Sequence, residues 1–246
     1  MLTRVVLSFF LVTVGMSVRA EDTVPANRFV FTQLKYEGDW DPYPTIWPAI
    51  ASYLQNTTSL TPWPERRVVS LNDPLLFESP YLVWMGRGPV PFTEQEAVVL
   101  RRYLQAGGLL IVDDSDADKN GPFRRSVRRI LSQVLPDSTW EALPPDHPIL
   151  RSFFLLRTVA GRRQTESNLS ILRIQSRTAV VFCGNDLHGA WYRDYMGRYL
   201  LGCEPGGDVQ RNESFKMTLN LIMFGLTGTY KTDAIHQPFL ERKMNR

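Results

Sequence analysis

Apolar and polar positions along the chain fall into blocks that read alternately as strands and helices. Residues 28–36 are apolar at Phe29, Val30 and Phe31 and then alternate, which predicts a first strand. Two prolines and a glycine within 37–44 make a loop. In 47–55, Trp47, Ile50, Ala51 and Leu54 recur at helical spacing, with Pro48 in the first turn, where proline is tolerated. Residues 67–71 predict a short second strand. Residues 81–86, apolar throughout, predict a third strand covered on both faces. Thr93 and Glu96 have capping-box spacing, and the helix they open carries Ala97, Leu100, Tyr103 and Leu104 on one side before stopping at Gly107. Residues 109–112 predict a fourth strand. After Gly121 and Pro122, the stripe Phe123, Val127, Ile130, Leu131, Val134 predicts a helix whose other face carries Arg124, Arg125, Arg128 and Arg129. Residues 136–148 are proline-rich and irregular. Residues 178–183 predict a buried strand, and 214–226 a last helix closed by Gly225 and Gly228.

Strand and helix in alternation predict an α/β fold, a mostly parallel sheet with helices on both faces in a flavodoxin-like three-layer arrangement. No proline- or serine-rich linker divides 28–230, so these residues are read as one domain, with a linker at 21–27 and a polar tail at 231–246. The first 20 residues read as a cleaved leader: Arg4, an apolar run at 5–14, and Val18-Arg19-Ala20 as a small-x-small cleavage site. Such a leader implies a periplasmic or secreted protein. The run is short and interrupted by Ser8, Thr13 and Gly15, a poor membrane span, and an uncleaved N-terminal anchor is the alternative.

The composition, 43% hydrophobic and 22% charged, is ordinary for a globular protein. The formal net charge of +3 includes Arg4 and Arg19, so the chain beyond the leader is nearly neutral, which argues against a nucleic-acid partner. Cys183 and Cys203, an even count in an oxidising compartment, permit a disulfide; each would also fit as a small buried residue.

The chemistry concentrates after the fourth strand. Ligands of open α/β sheets lie outside the carboxyl ends of strands, and Asp113, Asp114, Asp116 and Asp118 follow one such end. Oxygen ligands from Asp113, Asp114 and Asp116 would suit a divalent cation, and Asp113 or Asp114 would serve as a general base. The plainer reading is helix capping and pairing with Arg124 or Arg125. The spacing departs from a calcium loop, lacking the glycine at its sixth position and the glutamate at its twelfth. His147 and His188 would join the aspartates as catalytic groups if their loops converge there. Cys183 ends a strand but lacks the preceding glycine of a nucleophile elbow, and no H-E-x-x-H, C-x-x-C or P-loop pattern occurs. Trp191, Arg193 and Asp194 form an aromatic and charged cluster suited to a glycan or peptide. Tyr36, Trp40 and Tyr43 would make a second wall, with Arg124, Asn185, Asp186 and Glu204 as further ligand-binding candidates.

Several ordered motifs carry a resemblance: Phe31-x-x-Leu34-x-Tyr36 with Trp40; Gly107-Gly108 followed by Asp113-Asp114; Phe123-Arg124-Arg125; Leu143-Pro144-Pro145-Asp146-His147-Pro148; Asn185-Asp186-Leu187 with Gly189-Ala190-Trp191; and Cys203-Glu204-Pro205-Gly206-Gly207. By these the chain resembles the bacterial domain of unknown function 4159, a family similar to the class I glutamine amidotransferase-like fold. The resemblance implies a parallel sheet but no established activity. Relatives encoded beside MoxR-type ATPases and von Willebrand factor A-type proteins imply an envelope-associated assembly. The expectation is therefore a non-catalytic binding or envelope-assembly module. The alternative is a carbohydrate- or peptidoglycan-directed hydrolase that uses the Asp113/Asp114 loop with His147 or His188, assisted by a metal.

Overall fold

The computed structural model describes residues 28–231, with side chains to Gly228. The leader and linker readings (1–27) and the tail from 232 onward lie outside the described residues. The expected first strand divides. β1 (Arg28–Phe29) pairs in parallel with β3 (Thr61–Pro62), and β2 (Thr32–Leu34) enters the main sheet.

That sheet has seven strands in the order β4-β2-β5-β6-β9-β8-β7, where β4 is Arg67–Val69, β5 Tyr81–Gly86, β6 Leu109–Asp114, β7 Glu141–Ala142, β8 Ser170–Ile174 and β9 Arg177–Cys183. The strands from β4 to β9 are parallel; β8 and β7 add antiparallel pairings at one edge. The edge hairpin escapes a sequence reading because Ser170–Ile174 is short, with Arg173 breaking its apolar run, and turns through Gln175 at φ +55°.

Helices α1 (Trp47–Thr57) and α4 (Gly207–Lys231) cover one face, where Trp47, Ile50, Phe215 and Ile222 pack with Phe31, Val83 and Ile111. Helices α2 (Glu94–Gln105) and α3 (Pro122–Val134) cover the other, where Leu100, Tyr103, Phe123 and Ile130 pack with Leu82, Trp84 and Val112. The central strands are apolar on both faces because both are covered. Taken in chain order, the parallel strands stand 2-1-3-4-5, and the order reverses between β2 and β5. That reversal is the topological switch point, where sheets of this kind bind ligands.

The α2 capping box forms as expected: Glu96 N–H donates to Thr93 Oγ1 at 3.2 Å and Thr93 N–H to Glu96 Oε2 at 2.7 Å, an arrangement worth about 1 kcal/mol. The last helix differs from the reading, starting at Gly207 and running through Gly225 and Gly228 to Lys231. Gly225 serves packing rather than termination: a Cβ there would stand 2.7 Å from the Tyr81 ring. The arginine face of α3 also differs. Arg124 is buried, and Arg128 is half-buried, its guanidinium 4.7 Å from the Trp140 ring centre; only Arg125 and Arg129 are fully exposed.

Candidate functional site

Strand alternation sends the last two residues of β6 to opposite faces. Asp113 faces the α1/α4 side. Its Oδ1 accepts from Leu187 N–H at 2.8 Å; its Oδ2 accepts from His188 N–H and lies 2.8 Å from His188 Nδ1. Both side chains are 0% exposed. Asp113 therefore clamps the loop after β9, and the clamp fixes the His188 tautomer with the proton on Nδ1. Among the described residues His188 Nε2 has no partner, and the ring packs edge-on against Phe31 at 6.0 Å, towards the core.

Asp114 faces α3. Its Oδ2 accepts from Arg124 Nε at 3.2 Å, and Arg124 Nη1 continues to Glu166 Oε1 at 2.6 Å. The Arg124 guanidinium also lies 5.3 Å from the Phe182 ring centre, and Gly184 leaves it room, since a Cβ there would stand 2.2 Å from Arg124 Nη2. Burial raises the Asp114 pKa to about 6 against the opposing pull of Arg124. The two adjacent carboxylates diverge, and Asp116 accepts from Gly88 N–H at 3.1 Å. They do not fit the expected shared cation site. Among the described residues no three His, Cys, Asp or Glu side chains are grouped to hold a metal.

A second buried knot lies beside the first. Asp186 has a left-handed backbone, φ +54°, a conformation aspartate tolerates better than most residues. Tyr43 Oη donates to its two oxygens at 2.8 and 2.9 Å, Gly189 N–H donates at 3.2 Å, and Arg162 Nε forms an ion pair. Arg87 Nη2 in turn donates to Tyr43 Oη at 3.1 Å. Burial, with the Asp113 charge next, raises the Asp186 pKa, while Arg162 and Tyr43 oppose the rise. Gly189 leaves room for this carboxylate, because a Cβ would stand 2.5 Å from Asp186 Oδ2.

The neighbouring candidates are joints as well. Asn185 Oδ1 accepts from Thr165 N–H at 3.1 Å and Glu166 N–H at 2.7 Å, tying down the 160s loop. Trp191 stacks on Phe215 with ring centres 3.9 Å apart and donates to Thr218 Oγ1. Tyr36 is buried and donates to Asp39 O at 3.0 Å, whereas Trp40 is half-buried with the Arg66 guanidinium 5.8 Å from its ring centre. Glu204 is exposed and pairs with Arg163 at 2.7 Å.

The structure also places three further candidates. His147 does not approach Asp113. It sits at the amino edge of the sheet, where its Nδ1 accepts from Ile149 N–H at 3.2 Å, which leaves Nε2–H to donate to Thr178 Oγ1 at 3.0 Å. Asp194 stays on the rim, bound to Arg198 at 2.8 Å and accepting from Met196 and Arg198 N–H. Cys183 and Cys203 are buried and free rather than bridged. Burial, then Asp113, raises the Cys183 thiol well above its ordinary value, so a thiolate nucleophile is disfavoured. Arg87, Arg162 and Glu166 are the partners sequence reasoning missed. Arg162 and Glu166 lie in a segment without periodicity, so no local signal marks them.

Outside these knots, residues 192–200 form an exposed turn. Arg193 bridges Tyr199 in antiparallel fashion, and its guanidinium lies 4.3 Å from the Tyr199 ring centre. Tyr195 is 97% exposed, with Met196 and Leu200 exposed beside it. No curated protein matches the chain. Residues 30–226 match the family described as domain of unknown function (DUF4159), and the chain belongs to that family.

Proposed function

We propose that the protein is an exported binding or envelope-assembly module on a glutamine amidotransferase-like α/β scaffold. One observation carries this reading: the carboxylates of Asp113, near the end of β6, and Asp186, in the loop after β9, are fully buried, and their oxygens are taken up by internal donors. Groups in that state hold loops; they do not meet substrate. The loops they hold carry Tyr195, Met196 and Leu200 outward, and exposed apolar side chains on a fixed rim suit a protein or glycan partner. A von Willebrand factor A-type envelope protein is the first partner to test. A photo-crosslinking residue at position 195 in the native envelope should give a discrete adduct, absent when the same residue stands at position 129. Equal, diffuse labelling from both positions would sink the binding reading.

The hydrolase reading draws on the 2.8 Å Asp113–His188 contact and the free Nε2. It requires the dyad to open to solvent. Turnover of peptidoglycan or glycan substrates that a folded His188→Gln variant lacks would favour it.

A further inference from the structure

Beside Asn220 of α4 lies a second exposed feature. The 3-10 helix Pro148–Arg151 leads into residues 152–157, where Leu155 is 81% exposed and Phe153 is 43% exposed. Arg151 and Arg157 flank them, exposed, and among the described residues neither pairs with a carboxylate. From 147 to 165 the chain has no acidic residue.

The loop is held firmly. Asn220 of α4, fully buried, accepts from Phe153 and Phe154 N–H at 3.3 and 2.7 Å. Its Nδ2 donates to the carbonyls of Ile149 and Phe154, each at 2.8 Å. A buried asparagine making four bonds to one loop fixes an apolar tip outward that a floppy loop would fold inward. A single exposed leucine is unremarkable, but a pre-organised pair between unpaired arginines calls for a partner.

Arg151 also borders a cleft of about 700 Å³ whose walls include His147, Arg173, Arg177 and Phe224. Burial first, then the Arg173 and Arg151 charges, lower the His147 pKa to about 4, against the opposing charge of Asp146; the arginine field there is positive.

We propose that loop 151–157 docks on an anionic phospholipid surface, with Phe153 and Leu155 entering the headgroup–acyl boundary and Arg151 and Arg157 meeting lipid phosphates. Apolar tips beside basic residues bind such surfaces by adding buried apolar area to electrostatic attraction. The proposal is independent of any partner at residues 192–200.

The test uses the full chain with Leu155→Cys, labelled with an environment-sensitive fluorophore; Cys183 and Cys203 are buried, which directs the label to position 155. Vesicles of phosphatidylglycerol mixed with phosphatidylcholine should shift its emission to the blue, and vesicles of phosphatidylcholine alone should not. The same label at Tyr195→Cys should stay unchanged. Adding Arg151→Ser and Arg157→Ser should weaken the response about tenfold or more. An equal response to both vesicle types, or none to either, would overturn the proposal. A response to soluble polyglutamate but not to vesicles would overturn it in favour of an acidic protein partner.

Discussion

Asp113 and His188 meet across the end of β6 and the loop after β9, Oδ2 to Nδ1 at 2.8 Å, with neither side chain exposed. The same carboxylate accepts two backbone N–H groups of that loop, so it acts as the loop's anchor. Asp113→Ala would leave two buried N–H donors and a ring nitrogen without an acceptor. Each orphaned group costs roughly 1–3 kcal/mol. A loss of about 3 kcal/mol or more is expected, read as a lower urea midpoint at unchanged slope. A midpoint within error of wild type would show that the clamp is not what holds the loop.

Asp114 gives a pH signature. Its folded pKa of about 6 lies above the unfolded value, so between about 4 and about 6 the folded state keeps a proton that the unfolded chain releases. Its contribution therefore favours folding at low pH and is lost as pH rises through about 6. The stability of wild type relative to Asp114→Asn should fall across that window. A flat difference would mean that Arg124 keeps the carboxylate ionised throughout.

His147 has the opposite sign. Its folded pKa, about 4, lies below the unfolded value, so on acidification the unfolded chain takes up a proton first. The stability it lends is present above about 6.5 and is lost as pH falls towards about 4. His147→Asn can still accept from Ile149 N–H, and its unfolding midpoint should decline less over this range than that of wild type.

Glycines at the knots and on the surface should behave differently. A Cβ at Gly161 would stand 2.2 Å from Asn185 O, a backbone atom that cannot swing aside. Gly161→Ala should cost about 2 kcal/mol or more. Gly202 has nothing within 4 Å of such a Cβ, and Gly202→Ala should stay within about 0.5 kcal/mol of wild type. Thermal unfolding of the two variants side by side makes the comparison.

The cysteines should be silent in the native state. Cys183 is fully buried with its thiol pKa raised, and Cys203 is nearly so. A thiol-reactive chromophore should label neither until denaturant is added, and the denatured chain should release two thiols without reductant. One disulfide's worth of missing thiol would restore the bridged reading.

Much of the scaffold was determined by the sequence itself. The apolar runs at 81–86 and 109–112, the Thr93/Glu96 box and the 3.6-residue stripes of α2 and α3 act through near neighbours, and their meaning survives without knowledge of the rest of the chain. The acidic strand end and Asn185-Asp186 stood out for the same reason. What the tertiary structure alone decided is which charge meets which. Asp113 pairs with His188 and not His147, because the loop after β9 crosses the carboxyl end of β6, whereas His147 lies at the amino end of β9 beside Thr178. Asp186 finds Tyr43, 143 residues away, and Arg162, 24 residues away, through contacts that no local pattern records. Local spacing sets secondary structure. The pairing of buried charges depends on where distant loops are brought together, and that is settled only when the sheet closes its order.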